Sequence, residues 1–316
     1  MSKRRLMVTG AKGFVGTVLA QVAGEAWSDS VELIDFIDPQ TADSPDLRDM
    51  DAIDRAVAYV RPDAVIHLAA IAAPRRAKSD PTTAWNVNVL GTLHLAEAIL
   101  RHVPQARFIF AGSSEAYGMA FNLADRPISE DTALQPLSAY GATKAAGDIM
   151  LRQMAYDGLH SVIFRPFNHT GPGQSPTYVV PAFAIQIARI EAGLQEPVLK
   201  VGNLEAKRDF LDVRDVADAY LKAACRDDLE KGLTLNLSTA APVAIETLLT
   251  MLTGMAQLKI DVEVDPSRYQ PNTIPVMSGD NVRSRGSLGW APFIPLSQTL
   301  ADVLDWARAD IKLDSP

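Results

Sequence analysis

The sequence is short of cysteine, of basic clusters and of long apolar runs, and each shortage removes a class of protein. A single cysteine, Cys225, excludes an internal disulfide and a multi-cysteine metal site. Its alanine-rich neighbourhood reads as packing. The five histidines show no paired metal-ligand spacing, so no metal is expected. Acidic residues outnumber basic ones by 38 to 30, a formal net charge of -8. With no basic block against that surplus, nucleic acid is not the expected partner. The one basic cluster, Lys3-Arg4-Arg5, precedes only the apolar Leu6-Met7-Val8, too short for a signal-peptide core or a membrane span. Neither internal repeats nor low-complexity tracts occur. A soluble protein of a reducing, cytoplasmic setting is expected. What remains is ordinary globular composition, 47% hydrophobic and 22% charged in 316 residues. That length suffices for a large core or two intimately packed domains.

Residues 5–38 read as strand, glycine turn, helix and strand. The strand covers 5–8, the turn 9–16, the helix 17–26 and the second strand 31–35. Gly10, Gly13 and Gly16 fall as GxxGxxG rather than GxGxxG. Such a turn suits a dinucleotide pyrophosphate, because glycine permits the tight bend, the close approach of phosphate and close packing of helix on strand. Asp35 stands 19 residues after Gly16, where a carboxylate can accept from an adenosine ribose. Asp38 is its rival if the strand runs on. Helices over 51–60 and 82–100 then alternate with apolar strands over 64–68, 107–111 and 161–164.

Continuous apolar strands separated by helices mean an α/β chain, its parallel sheet covered on both faces. Ligands of such doubly wound sheets lie beyond the carboxyl ends of the strands. Gly10, Asp35, Ala69, Ser113 and Asn168 all follow strand ends, so one crevice collects them. From Gly171 the texture changes, with Pro172, Pro176 and Pro181 and shorter elements: helices over 182–193, 215–226, 245–254 and 296–311, strands over 234–237 and 259–264. The expected division is a dinucleotide-binding domain over 1–170, with 213–240 partly returning to it. A smaller, interleaved C-terminal substrate lobe takes 171–212 and 241–316.

The stretch Ser138-Ala139-Tyr140-Gly141-Ala142-Thr143-Lys144 opens another helix. Tyr140 and Lys144 are i and i+4, so phenol and ammonium share a face one turn apart. A lysine held there is expected to lower a tyrosine pKa that is about 10 when unperturbed, giving a proton donor and acceptor near neutral pH.

Gly10…Gly13…Gly16, Ser113-Ser114-Glu115-Ala116-Tyr117-Gly118, Tyr140 with Lys144, and Arg165-Pro166-Phe167-Asn168 together resemble the extended short-chain dehydrogenase/reductase family, also called the NAD-dependent epimerase/dehydratase family. The resemblance covers nearly the whole chain. Asp46-Leu47, His67-Leu68-Ala69-Ala70 and Asn88-Val89-Leu90-Gly91-Thr92 match further. It implies a Rossmann fold with NAD or NADP on the glycine turn. Gly10, Lys12, Gly13, Phe14, Val15 and Gly16 would cradle the cofactor, with Asp35, Asp46 and Leu47 on the adenine side and Leu68, Ala69, Ala70 and Phe167 further along. Ser113 would hydrogen-bond the substrate oxygen and Tyr140 would exchange its proton. Lys144 would hold the nicotinamide ribose and tune Tyr140, and Asn88 would support Lys144 through water. Asp35 favours NAD over NADP, since a carboxylate repels a 2′-phosphate. A homodimer is implied as well, through a four-helix seam of helices 82–100 and 140–156.

Two longer strings, 165–174 and 201–210, resemble the GDP-sugar branch of that family, nearest the reductases that turn GDP-4-keto-6-deoxy-D-mannose into GDP-D-rhamnose. By that resemblance Asn168 and Arg208 contact the nucleotide diphosphate, Val180, Asn203 and Lys207 lie near the base, and Ser114 lies on the sugar side. Arginine suits a diphosphate because its planar fork donates paired bonds. The chain departs from the branch at Tyr269-Gln270-Pro271-Asn272-Thr273, where Gln270 replaces an arginine and Thr273 a carboxylate. The lost charge-assisted bond is worth roughly 1.5–3 kcal/mol, and Arg268 is the candidate substitute. Ser113-Ser114-Glu115 also suits 4,6-dehydration, with Glu115 as base. Epimerisation at C4, oxidoreduction of a free sugar or sugar acid, and a non-catalytic NAD(P)-binding regulator stay open beside it.

Overall fold

The computed structural model describes residues 3–125, 127–269 and 273–313. Six parallel strands form the main sheet: β1 (Arg4–Thr9), β2 (Val31–Asp35), β3 (Ala64–His67), β4 (Arg107–Ala111), β5 (His160–Pro166) and β6 (Leu233–Leu237). Their order is β6-β5-β4-β3-β1-β2, the doubly wound Rossmann arrangement. The register sets Thr9 beside His67 and His67 beside Phe110, so the carboxyl ends of the central strands are level.

Side-chain alternation along the strands feeds two cores. Leu6, Val8, Ile66 and Phe164 pack under α1 (Phe14–Ala26) and α6 (Val213–Ala224). Met7, Val65, Phe108 and Phe110 pack under α2 (Met50–Val60), α3 (Gly91–His102) and α4 (Ala139–Tyr156). Burial on both faces is why these strands read as unbroken apolar runs. Side chains cap several helices: Asp49 accepts from Ala52 N, Ser138 from Gly141 N and Asp212 from Arg214 N.

Three elements differ from the sequence expectation. α1 begins at Phe14, so Gly16 lies in its first turn rather than ahead of it. The helix expected over 82–100 is continuous but not uniformly α. Pro81–Trp85 passes into a π-helical turn, Asn86–Leu90, before α3. α5 (Val179–Glu191) starts ahead of Pro181, because proline is tolerated in a first turn whose N–H groups have no helical acceptor.

β6 pairs with β5 from Leu233 to Leu237, and α6 crosses the sheet beside α1. A separate apolar cluster joins α5, α7 (Ile245–Gly254) and α8 (Leu296–Leu313) with the strand Val198–Val201. Among the described residues, no helix is long and apolar enough to cross a membrane.

Candidate functional site

The glycine turn closes on the loop that follows β3. Gly10 sits in the left-handed region at φ 74°, and a Cβ there would stand 2.8 Å from Ala69 N. A Cβ on Gly16 would meet Gly10 O at 2.5 Å, so backbone packs on backbone. Gly13 is the N-cap of α1 and has no side chain to cap it. The first N–H groups of a 13-residue helix therefore face the crevice without a side-chain acceptor, an arrangement that suits a pyrophosphate. Gly10, Lys12 and Gly13 are exposed, while Phe14, Val15, Leu68, Ala69 and Ala70 are half-buried around them. Asp35 ends β2 in register with Val8 and is exposed. Its rival Asp38 is buried, gripped by Arg55 and by Gln40 N. That geometry favours Asp35 for the ribose. On the adenine side, Asp46 is forked by Arg48, and Leu47 is buried against Gly91. The turn fits a dinucleotide.

One strand over, Lys144 Nζ donates to Ala111 O at 2.7 Å, lying 4.9 Å from the Phe110 ring centroid and 5.9 Å from that of Tyr140. Ser113 lies close enough to the Tyr140 phenol to oppose the rise of its pKa, and Ser113 Oγ accepts from Glu115 N at 3.1 Å. Serine, tyrosine and lysine thus converge at the carboxyl end of β4. The expected lowering of Tyr140 is not found. Burial pushes the phenol up, Ser113 opposes this only in part, and Tyr178 and Glu115 add to it. Burial also lowers Lys144 to about 8. Glu115 is raised by burial, with Arg208 and Ser138 pulling the other way. Ser114 is buried in the short 3-10 turn that follows β4.

Asn88 is buried against the helix of Lys144. Its side chain accepts from Ile71 N at 2.8 Å and donates to Ile71 O and to Thr143 Oγ1. The amide thus grips the helix that carries Tyr140 and Lys144 through Thr143. Arg165 is buried, forked onto Asp148 of α4 at 2.7 and 3.0 Å, and donates to Tyr117 Oη and Glu130 O. That string anchors α4 to β5.

On the substrate side the expectations divide. Asn168 is exposed, half-buried Arg208 donates to Lys207 O and Pro275 O, and Lys207 is exposed beside it on a short strand. Next in sequence, Asp209 is fully buried. Its carboxylate holds Thr239 N and Oγ1 and Ala240 N. Asn203 turns its own loop by accepting from Glu205 N. Arg268 pairs with Asp265 at 3.2 Å, and its backbone carbonyl lies against Gly202. Thr273 O accepts from Asn122, while Gln270, Pro271 and Asn272 lie outside the described residues.

Two of the expected contact residues are buried among apolar side chains. The Phe167 ring packs with Tyr117, Phe121 and Met277 at 1% exposure. Val180, also at 1%, belongs to the apolar cluster of α5, α7 and α8.

Two residues went unseen in the sequence. His169 stacks on Phe14, ring centroids 6.4 Å apart and planes within 1°, its Nδ1–H donating to Phe167 O. Tyr178 caps the entry to α5 close enough to raise Tyr140. His169 lies within the stretch 165–174, whereas Tyr178 carries no spacing signal.

The comparisons agree with this geometry. The family described as GDP-mannose 4,6 dehydratase matches residues 7–303. The chain is 33% identical to the GDP-6-deoxy-D-mannose reductase of Pseudomonas aeruginosa, over 96% of this chain and 97% of that one. It is 30% identical to the GDP-mannose 4,6-dehydratase of Sinorhizobium fredii, covering 78% and 74%. Among solved structures, that of RMD from Pseudomonas aeruginosa complexed with NADPH superposes with a TM-score of 0.87 at 30% identity, covering 98% of this chain and all of the other.

Proposed function

Because the chain belongs to the GDP-mannose 4,6 dehydratase family of extended, NAD(P)-dependent short-chain dehydrogenases/reductases, we propose that it reduces the C4 carbonyl of GDP-4-keto-6-deoxy-D-mannose to give GDP-D-rhamnose. The observation that carries this reading is the convergence of Ser113, Tyr140 and Lys144 beside the glycine turn. When bound, the reduced nicotinamide supplies the hydride. Tyr140 gives its proton to the oxygen that becomes the alcohol, and Ser113 donates to the same oxygen where negative charge develops. Lys144 orients the nicotinamide ribose from its seat on Ala111 O. Gly10, Gly13 and Gly16 seat the pyrophosphate, and exposed Asp35 accepts from the adenosine ribose. Arg208 and Asn168 take the sugar-nucleotide diphosphate.

Dehydration is the second reading, and Glu115 favours it. This half-buried carboxyl in the same crevice is raised by burial, as a proton-abstracting group requires. The two separate cleanly. The keto sugar with NADH or NADPH should give loss of absorbance at the nicotinamide band, whereas GDP-mannose alone should give no keto product. The reverse pattern makes the protein a dehydratase. Absence of GDP binding by calorimetry would point to a free sugar or sugar acid, the outcome that Gln270 and Thr273 favour. The quaternary part of the proposal is a homodimer seam formed by α3 and α4, whose neighbourhood exposes Trp85, Leu90 and Ile149.

A further inference from the structure

Beneath the crevice runs a buried chain of hydrogen bonds whose directions can be assigned one by one. Thr92 Oγ1 donates to the Asn88 carbonyl at 2.8 Å, so its one proton is committed there. His67 Nε2 lies 2.9 Å from the same oxygen and must therefore be the donor. Burial lowers His67 to about 3, helped by the charge of Lys144, so the ring is neutral and Nδ1 carries a lone pair. Thr9 Oγ1, 2.7 Å from Nδ1, then donates to it and accepts from Ala69 N at 3.3 Å.

The two ends of this chain are the two halves of the site. Ala69 is the residue against which Gly10 closes. At the other end, Asn88 grips Thr143, whose hydroxyl donates to Tyr140 O at 2.8 Å. His67 also stacks on Phe110, ring centroids 6.1 Å apart, and the Lys144 ammonium lies 4.9 Å from the centroid of that same ring.

We propose that His67, fixed as its Nε2–H tautomer, is a positioning residue that ties the glycine turn to the π-helical turn and so sets the spacing between bound dinucleotide and the Tyr140–Lys144 helix. A core histidine that only stabilises the fold would be satisfied by any two partners. Here one partner, Thr9, directly precedes Gly10 of the glycine turn, and the other, Thr92, is bonded to the main-chain carbonyl of Asn88, whose side chain grips Thr143. The inference rests on the reading of the crevice as a dinucleotide site.

The test is a set of coupled substitutions read by NADPH fluorescence titration and by turnover of the keto sugar. Thr9→Val and Thr92→Val each remove one hydroxyl at nearly constant shape. Each should weaken NADPH about fivefold and lower kcat by about tenfold, and the double variant should fall short of the product of the two. In a His67→Phe background the two effects should become additive, because the link is cut. His67→Gln, which keeps an acceptor and a donor side by side, should recover part of the affinity, and it carries the test if His67→Phe does not fold. A lowered melting temperature with unchanged NADPH affinity and kcat, or additivity with His67 present, overturns the inference. Failure of the unaltered protein to bind any nicotinamide dinucleotide overturns the reading of the crevice and this inference with it.

Discussion

At Lys144, stability and chemistry pull in opposite directions. Its folded value of about 8 lies below the ordinary 10.5, so between these pH values the unfolded chain holds a proton that the folded one has released. Stability from this group therefore rises with pH across that window, and at neutral pH the buried charge is a net cost on the order of 3 kcal/mol. Lys144→Met removes the charge and loses one bond to Ala111 O, worth about 1 kcal/mol. The variant should melt no lower than the unaltered protein at pH 7, and higher if the charge term dominates, while turnover disappears. NADPH affinity of the unaltered protein should weaken as pH rises through 8, because the group proposed to hold the ribose loses its charge. Tyr140→Phe should separate binding from chemistry. With the phenol raised by burial, the proton is present throughout the physiological range, and its removal should lower kcat by about 10²–10⁴ at nearly constant NADPH affinity. Stopped-flow turnover with a fluorescence titration checks both.

Among the elements, α1 and the π-helical turn position the site. Gly13 and Gly16 share a motif but act differently. A Cβ at Gly16 would lie 2.5 and 2.6 Å from two backbone oxygens, whereas at Gly13 the nearest atom is 3.2 Å away and the position is exposed. Gly16→Ala should therefore destabilise the fold by several kcal/mol, as overpacking against backbone does. Gly13→Ala should leave the melting temperature nearly unchanged and weaken the dinucleotide by close approach alone. Calorimetric melting beside a NADPH titration distinguishes them. The strands were legible because burial on both faces leaves unbroken apolar runs such as Phe108-Ile109-Phe110. Tyr140 and Lys144 were legible because their spacing puts them on one helix face. The π-helical turn was not, since Asn86–Leu90 keeps the apolar rhythm of an ordinary helix and only Thr143 and Ile71, distant in sequence, reveal what Asn88 grips. The burial of Phe167 and Val180 was not legible because a motif names a residue without saying which way an apolar side chain faces. The direction of the Tyr140 shift was hidden for the same reason: it depends on burial, which spacing does not report.

For the whole molecule the issue is what covers the outer side of α4. The inner side of this helix buries Lys144, Asp148 and Leu151, tied to the sheet through Arg165. Its outer side exposes Ile149 at 55%, while the neighbouring helical run exposes Trp85 at 43% and Leu90 at 44%. Large apolar side chains on the backs of two adjacent helices are what a helix-on-helix interface requires, and burying roughly 1,200–2,000 Å² in all would make it stable. Because α4 presents Tyr140 on one side and this surface on the other, a partner there would stiffen the helix that holds the reactive phenol. Light scattering should give the unaltered chain a mass twice its 34.1 kDa. Ile149→Glu should return it to the monomer and lower kcat with little change in NADPH affinity, since the glycine turn lies on other elements. Val264→Glu, at an exposed strand position of the lobe, should leave mass and turnover alone. A monomeric mass for the unaltered chain would sink the seam. A dimer unmoved by Ile149→Glu would shift the interface to another surface.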